Sequence, residues 1–117
     1  MPTFDILRRE PDIRSFKQGE TIFKKGDPGD WMFAVIEGAV EINLGSTVLE
    51  RVAAAGVFGE MALIDQQPRS ATAVAAVDCS LAVINEKRFL RLVEQTPKFA
   101  LHVMHVISER LRRANSH

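Results

Sequence analysis

The stretch FGEMALIDQQPRSATA, Phe58 to Ala73, sets the terms for the rest of the chain. Gly59 permits a close backbone approach or an unusual dihedral, and Glu60–Ile64 is long enough for one helical turn. The start of such a turn presents unpaired amides and the positive end of aligned peptide dipoles, which suits an anion. Arg69 offers a bidentate guanidinium fork to the same anion, and Ser70 a hydroxyl. Ala62 and Ala71 leave room for main-chain amides to reach a ligand. Glu60 only accepts hydrogen bonds, so beside an anion it calls for a hydroxyl. These residues fit a ligand that carries one compact anionic group next to a hydroxyl. Plainer readings of the same residues stand beside this one: Glu60 as an acid complementing a helix dipole, and Arg69 after Pro68 as a solvated loop charge.

Around this segment the chain changes character. All seven glycines lie between Gly19 and Gly59, which places a turn-rich β region first and helices last. ETIF (Glu20–Phe23) reads as a short strand ended by the turn KKGDPGD (Lys24–Asp30). WMFAVI (Trp31–Ile36) is a compact apolar strand, with Trp31 and Phe33 assigned to the core. Glu37-Gly38 turns it into AVEINL (Ala39–Leu44), where Val40, Ile42 and Leu44 alternate with Glu41 and Asn43. Gly45-Ser46 then signals a tight hairpin into TVLERV (Thr47–Val52). ATAVAAV (Ala71–Val77) and SLAVI (Ser80–Ile84) are two more strands around a turn at Asp78-Cys79. Strands this short and evenly spaced argue for a sandwich or barrel.

The last third reads at helical period. Asn85 caps a helix from Glu86 to about Glu94, with Phe89, Leu92 and Val93 inward. Thr96-Pro97 supplies an N-cap and a first-turn proline for a second helix reaching about Arg113. FDILRREP (Phe4–Pro11) supports at most a turn or two. The expected fold is mainly β with C-terminal helices. It is a β-roll, a jelly-roll-like double-stranded barrel, with a short cassette helix and two C-terminal helices. One domain is expected, with a short N-terminal segment (1–14), the roll (15–84) containing the cassette (58–73), and hinge and lid helices (85–117).

The chain has 117 residues, 46% apolar and 26% charged, with a formal net charge of zero. That is ordinary globular usage and enough chain for one core. Without a basic block, direct nucleic-acid binding is not expected. One cysteine, Cys79, excludes an internal disulfide framework and fits a reducing, cytoplasmic setting. Early charges at Asp5, Arg8, Arg9 and Glu10 argue against a secretory signal, and no apolar run approaches bilayer length.

FGEMAL followed by PRSATA resembles the phosphate-binding cassette of the cyclic nucleotide-binding domain family. GETIFKKGDPGDWMFAVIEGAVEI (Gly19–Ile42) is similar to that family's early strands and glycine-marked turns. The resemblance spans roughly Ser15 to Arg112 and implies the following roles. Glu60 takes the ribose 2′-hydroxyl with help from the Gly59 amide, and Arg69 pairs with the cyclic phosphate. The amides of Met61, Ala62 and Ala71, with the Ser70 side chain, complete the anion cradle. Serine after the arginine resembles bacterial regulators and channels that mostly respond to cAMP, so cAMP is favoured over cGMP. No cofactor or metal is called for. The resemblance further implies a ligand-sensing regulatory module, not an enzyme, that moves its C-terminal helices and addresses a protein effector in cis or trans.

Arg110 lies inside the apolar arc of the last helix, one turn from Val106 and Ala114. In the family the last helix closes over the base, which would place Arg110 against it; the alternative is a cation at a helix C-terminus. His102 and His105 are spaced as a possible metal pair but sit on the polar arc, so both are assigned to solvent. Cys79 reads as an ordinary small residue in a turn. All three histidines, His117 included, follow the strands, which disfavours a metal-dependent enzyme on a similar roll. So few residues follow the last helix that no helix-turn-helix is expected from this chain. A free-standing domain and an excised piece fit the sequence equally. The remaining alternative is a degenerate member that binds a protein partner and no nucleotide.

Overall fold

The computed structural model describes residues 2–115, so His117 lies outside the described residues. The elements run α1 (Pro2–Arg8), β1 (Ile13–Phe16), β2 (Thr21–Phe23), β3 (Trp31–Glu37), β4 (Ala39–Leu44), β5 (Thr47–Ala53), β6 (Val57–Phe58), α2 (Glu60–Ile64), β7 (Thr72–Ala75), β8 (Cys79–Asn85), α3 (Glu86–Gln95) and α4 (Lys98–Asn115). The strands form two antiparallel four-stranded sheets, ordered β1-β8-β3-β6 and β2-β7-β4-β5. Gly38, at φ +86°, turns the chain from β3 in one sheet into β4 in the other. The result is the expected β-roll with C-terminal helices.

The apolar run of β3 has a physical reason: both of its faces are covered. Phe33 and Val35 point between the sheets, where they meet Val40, Val52, Phe58 and Leu81. Met32, Ala34 and Ile36 point the other way, into a second core built from Ile84, Leu92, Phe99 and Val103. β8 behaves alike, with Leu81 and Val83 on one side and Ala82 and Ile84 on the other. The helices are therefore a third layer of the core. Leu7 of α1 is fully buried within it.

The Gly45-Ser46 hairpin forms as expected, since Leu44 pairs with Thr47. Asn85 accepts a hydrogen bond from the Arg88 amide at 2.8 Å and caps α3. α4 begins one residue past Pro97, and the Phe99 amide donates to the Thr96 carbonyl at 2.9 Å. Strands β1 and β6 were not anticipated, and ATAVAAV contributes only Thr72–Ala75. Cys79 is not in a turn: it opens β8, pairs with Phe16 and is buried in the inter-sheet core. Burial pushes its thiol pKa up, and the charges of Asp78 and Glu20 add to that.

An ion pair between a buried carboxylate and a partly exposed arginine anchors the N-terminal segment. The Glu10 carboxylate, 2% exposed, receives Arg88 Nε at 3.0 Å and Nη2 at 2.7 Å. The hydrogen bond to Glu10 holds the Arg88 guanidinium above its ordinary pKa, with burial pulling the other way. The segment after α1 is thereby tied to the first turn of α3.

Two outcomes follow. Leu7→Ala should lower stability by about 2–5 kcal/mol in urea unfolding, the cost of an unfilled core site; a loss below about 1 kcal/mol would mean that α1 does not share the core. Cys79 should resist iodoacetamide at pH 8 in the native protein and react rapidly in denaturant, because a buried thiol of raised pKa supplies little thiolate. Native-state alkylation at the rate of a free thiol would contradict this placement.

Candidate functional site

All eight residues singled out from the sequence, Gly59, Glu60, Met61, Ala62, Arg69, Ser70, Ala71 and Arg110, line one cavity of about 560 Å³. The cassette wraps one wall, the β4–β5 hairpin forms another through Val48 and Leu49, and the end of α4 covers it. Val48 and Leu49 are each 54% exposed, so the hairpin presents apolar surface to the opening.

Gly59 sits ahead of α2 at φ +76°, in the left-handed region that glycine enters without steric cost. Its position also answers to space: a Cβ there would come within 2.7 Å of Arg69 Nη1. The Ala62 amide reaches the Gly59 carbonyl at a long 3.3 Å. Ala62 and Ala71 are buried, whereas Met61 is 46% exposed and Ser70 is exposed.

Arg69 is not a solvated loop charge. It is 6% exposed, and its guanidinium donates from Nη1 to the Gly59 carbonyl at 3.0 Å and from Nη2 to the Trp31 carbonyl at 2.7 Å. The ring of Phe23 lies 4.2 Å from its guanidinium carbon. The loop KKGDPGD holds the backbone: the Arg69 amide donates to the Asp27 carbonyl at 2.9 Å, and the Gly26 amide to the Arg69 carbonyl at 2.8 Å. Arg69 Nε is buried without a hydrogen-bond partner. Burial draws the guanidinium below its ordinary pKa, against the more distant charges of Asp27, Asp30 and Glu60. Among the described residues, the other buried charged residues, Glu10 and Glu60, are ion-paired and Arg69 is not.

Glu60 opens α2 with its side chain 8% exposed and pairs with Arg110 Nη1. Arg110 leaves the apolar arc of α4 to reach three acceptors: Glu60, the Val57 carbonyl and Glu50, the last from Nε at 2.6 Å. Burial alone would lower its pKa, but the hydrogen bond to Glu50 and the charges of Glu60 and Glu50 outweigh it and hold the group above the ordinary value. Arg110 thus bridges the last helix to the barrel and does not serve as a cap of its own helix C-terminus.

Glu50 escaped the sequence reading. It lies on β5 within an alternating strand, and its arginine partner is sixty positions away. His102 corrects another expectation: it is half-buried, and its Nε2 donates to the Ala55 carbonyl at 2.6 Å, while His105 is exposed. Trp31 is only partly buried, whereas Phe33 is buried and stacks on Phe58 at 5.1 Å. Among the described residues no three His, Cys, Asp or Glu side chains converge to hold a metal ion, and no helix is long and apolar enough to cross a membrane.

Comparison with known proteins agrees with this geometry. The model of the cyclic nucleotide-binding domain family matches residues 13–96. The chain is 34% identical over 107 residues to the cyclic AMP receptor protein of Thermus thermophilus, covering 87% of this chain and 50% of that protein. It is 39% identical over 89 residues to a cAMP-dependent protein kinase regulatory subunit of Dictyostelium discoideum, covering 71% of this chain and 27% of the relative. The crystal structure of the Thermus thermophilus catabolite activator protein superposes with a TM-score of 0.80 at 31% identity, over 97% of this chain and 56% of that one. The chain therefore spans half or less of the curated relatives it matches. With the β-roll, the cassette and the family match all in agreement, this chain belongs to the cyclic nucleotide-binding domain family.

Proposed function

We propose that this domain binds a cyclic nucleotide, cAMP in preference to cGMP, and reports occupancy through movement of α3 and α4. One observation carries the reading: Arg69 is a buried cation with carbonyls and a ring around it and no carboxylate partner. A buried charge without a counter-ion is costly, and a singly charged ring ester on the cavity side supplies one. Arg69 would pair with the cyclic phosphate, joined by the amides of Met61, Ala62 and Ala71 and by the Ser70 hydroxyl. Glu60, with the Gly59 amide, would take the ribose 2′-hydroxyl. Arg110 already touches Glu60 and would stand at the base end of the cavity. Ser70 after the arginine, and the Thermus thermophilus relative named for cyclic AMP, favour adenine over guanine.

The roll over 15–84 would hold the ligand, while 85–117 would act as hinge and lid and 1–14 as a short N-terminal brace. The Glu10–Arg88 pair would carry that brace with the hinge. Ligand biases the helices only as far as it binds one arrangement more tightly than another. The effector is a protein, in cis or in trans, and the reduced thiol of Cys79 fits a cytoplasmic sensor.

Calorimetric titration with cAMP, cGMP and a cyclic dinucleotide tests the reading. The wild-type chain should bind cAMP most tightly, and Arg69→Ala should lose about 1.5–3 kcal/mol or more, tenfold to beyond a hundredfold in affinity. Unchanged cAMP binding in that variant would remove the central contact. No binding by the wild type would leave a degenerate member acting through protein contacts alone.

A further inference from the structure

Two arginines of α4 converge on one carboxylate of the barrel. Glu50, its side chain 19% exposed, accepts from Arg110 Nε at 2.6 Å and lies 3.4 Å from Arg113 Nη2. Glu50, Arg110, Arg113 and Ala114 all line the cavity. The Nε contact with Glu50 fixes the plane of the Arg110 guanidinium, and in that plane Nη1 meets Glu60 and Nη2 meets the Val57 carbonyl. One side chain of the lid thereby satisfies both carboxylates of the cavity wall.

The charges lining the cavity divide unevenly between barrel and lid. The barrel contributes Glu50, Glu60 and Arg69, two negative charges against one positive. The net negative charge of that wall offsets part of the pull of Arg69 on an anion. α4 contributes Arg110 and Arg113, which turn the balance to one net positive charge. Without Glu50 the barrel wall would be neutral and would admit an anion whether or not α4 were docked.

We propose that Glu50 is a positioning residue that makes docking of α4 a condition for anion binding: it orients Arg110, and its charge penalises the undocked site. The proposal rests on the cyclic nucleotide reading above and adds to it a reason why occupancy and lid position are coupled. The coupling is the difference in anion affinity between the docked and undocked arrangements, and the second carboxylate widens that difference.

A double-mutant cycle in the full chain tests this, with Glu50→Gln, Arg110→Gln and both together, and with Glu50→Asp as the charge-retaining control. cAMP affinity is measured by calorimetry, and amide exchange along α4 is measured without nucleotide. Arg110→Gln should weaken cAMP about tenfold or more in the wild-type background. In the Glu50→Gln background the same change should cost at least about threefold less, because Arg110 keeps Glu60 and the Val57 carbonyl but no longer offsets Glu50. The Glu50→Asp background should keep most of the Arg110→Gln penalty, because it keeps the charge. Without nucleotide, Glu50→Gln should speed exchange in the last turns of α4. Equal Arg110→Gln losses in both backgrounds, or unchanged exchange in α4, would overturn the role of Glu50 while leaving the ligand reading intact. A wild-type chain that takes no cyclic nucleotide would overturn the ligand reading and the coupling with it.

Discussion

A guanidinium buried in a small β-roll constrains everything near it. Arg69 needs acceptors and a polarisable surface in place of water, and it draws them from separate parts of the chain: the Gly59 carbonyl, the Trp31 carbonyl and the Phe23 ring. Two glycines are explained by the space it occupies. A Cβ at Gly59 would stand 2.7 Å from Nη1, and one at Gly29 would stand 2.5 Å from Nε. The loop Lys24–Asp30 lies against the Arg69 backbone through Asp27 and Gly26, so its turn chemistry serves the arginine as well as the β2–β3 connection. β2, β3, the loop and the cassette are thus organised around a single side chain.

The site also has a packed route to the helices. α2 begins with Glu60 in the cavity wall, and Leu63 of the same turn packs against the core that holds Leu92 of α3 and Phe99 and Val103 of α4. Met32, Ala34 and Ile36 belong to this core, while their neighbours Phe33 and Val35 belong to the inter-sheet core. β3 therefore forms a common wall, and a shift of α3 or α4 must repack residues one peptide away from those that line the roll. Close-packed interiors do not deform continuously, so the proposed helix movement would pass between two distinct arrangements and not along a graded series.

What the sequence made legible was local. The alternation in AVEINL, the two-residue turn at Gly45-Ser46 and the Asn85 cap depend on near neighbours, and each appears where the pattern puts it. The cassette was legible because its glycine, acid and arginine lie within a dozen residues, and the structure gathers them on one cavity. The misses are long-range. β1 is IRSF, largely exposed and without clear alternation, and it is a strand because β8 offers it an edge. β6 is two residues long, and its pairing with Phe33 and Ala34 has no periodic signature. Cys79 read as a turn residue because Asp78 precedes it, yet its register opposite Phe16 carries it into the core. His102 and Glu50 look like solvent-facing polar residues until partners 47 and 60 positions away are brought to them by the fold.

Among the described residues, the three buried charged ones divide by what their partners can do. Glu10 is held by Arg88 of α3, and Glu60 by Arg110 of α4, so both contacts join a helix of the C-terminal layer to another part of the chain. Moving either helix away would expose a carboxylate that now has a cation. Breaking a buried pair is costly because it strands a charge, so these contacts favour all-or-none docking. Arg69 is different. Its hydrogen-bond partners are carbonyls of the roll itself, and helix movement need not remove them. The roll can therefore keep its cation in place wherever the helices lie, while the acid beside it has its arginine counter-charge only when α4 is docked. In the proposed reading, an anion that also carries a hydroxyl would meet a constant partner in Arg69 and a conditional one in Glu60, and the conditional partner would make its binding depend on helix position.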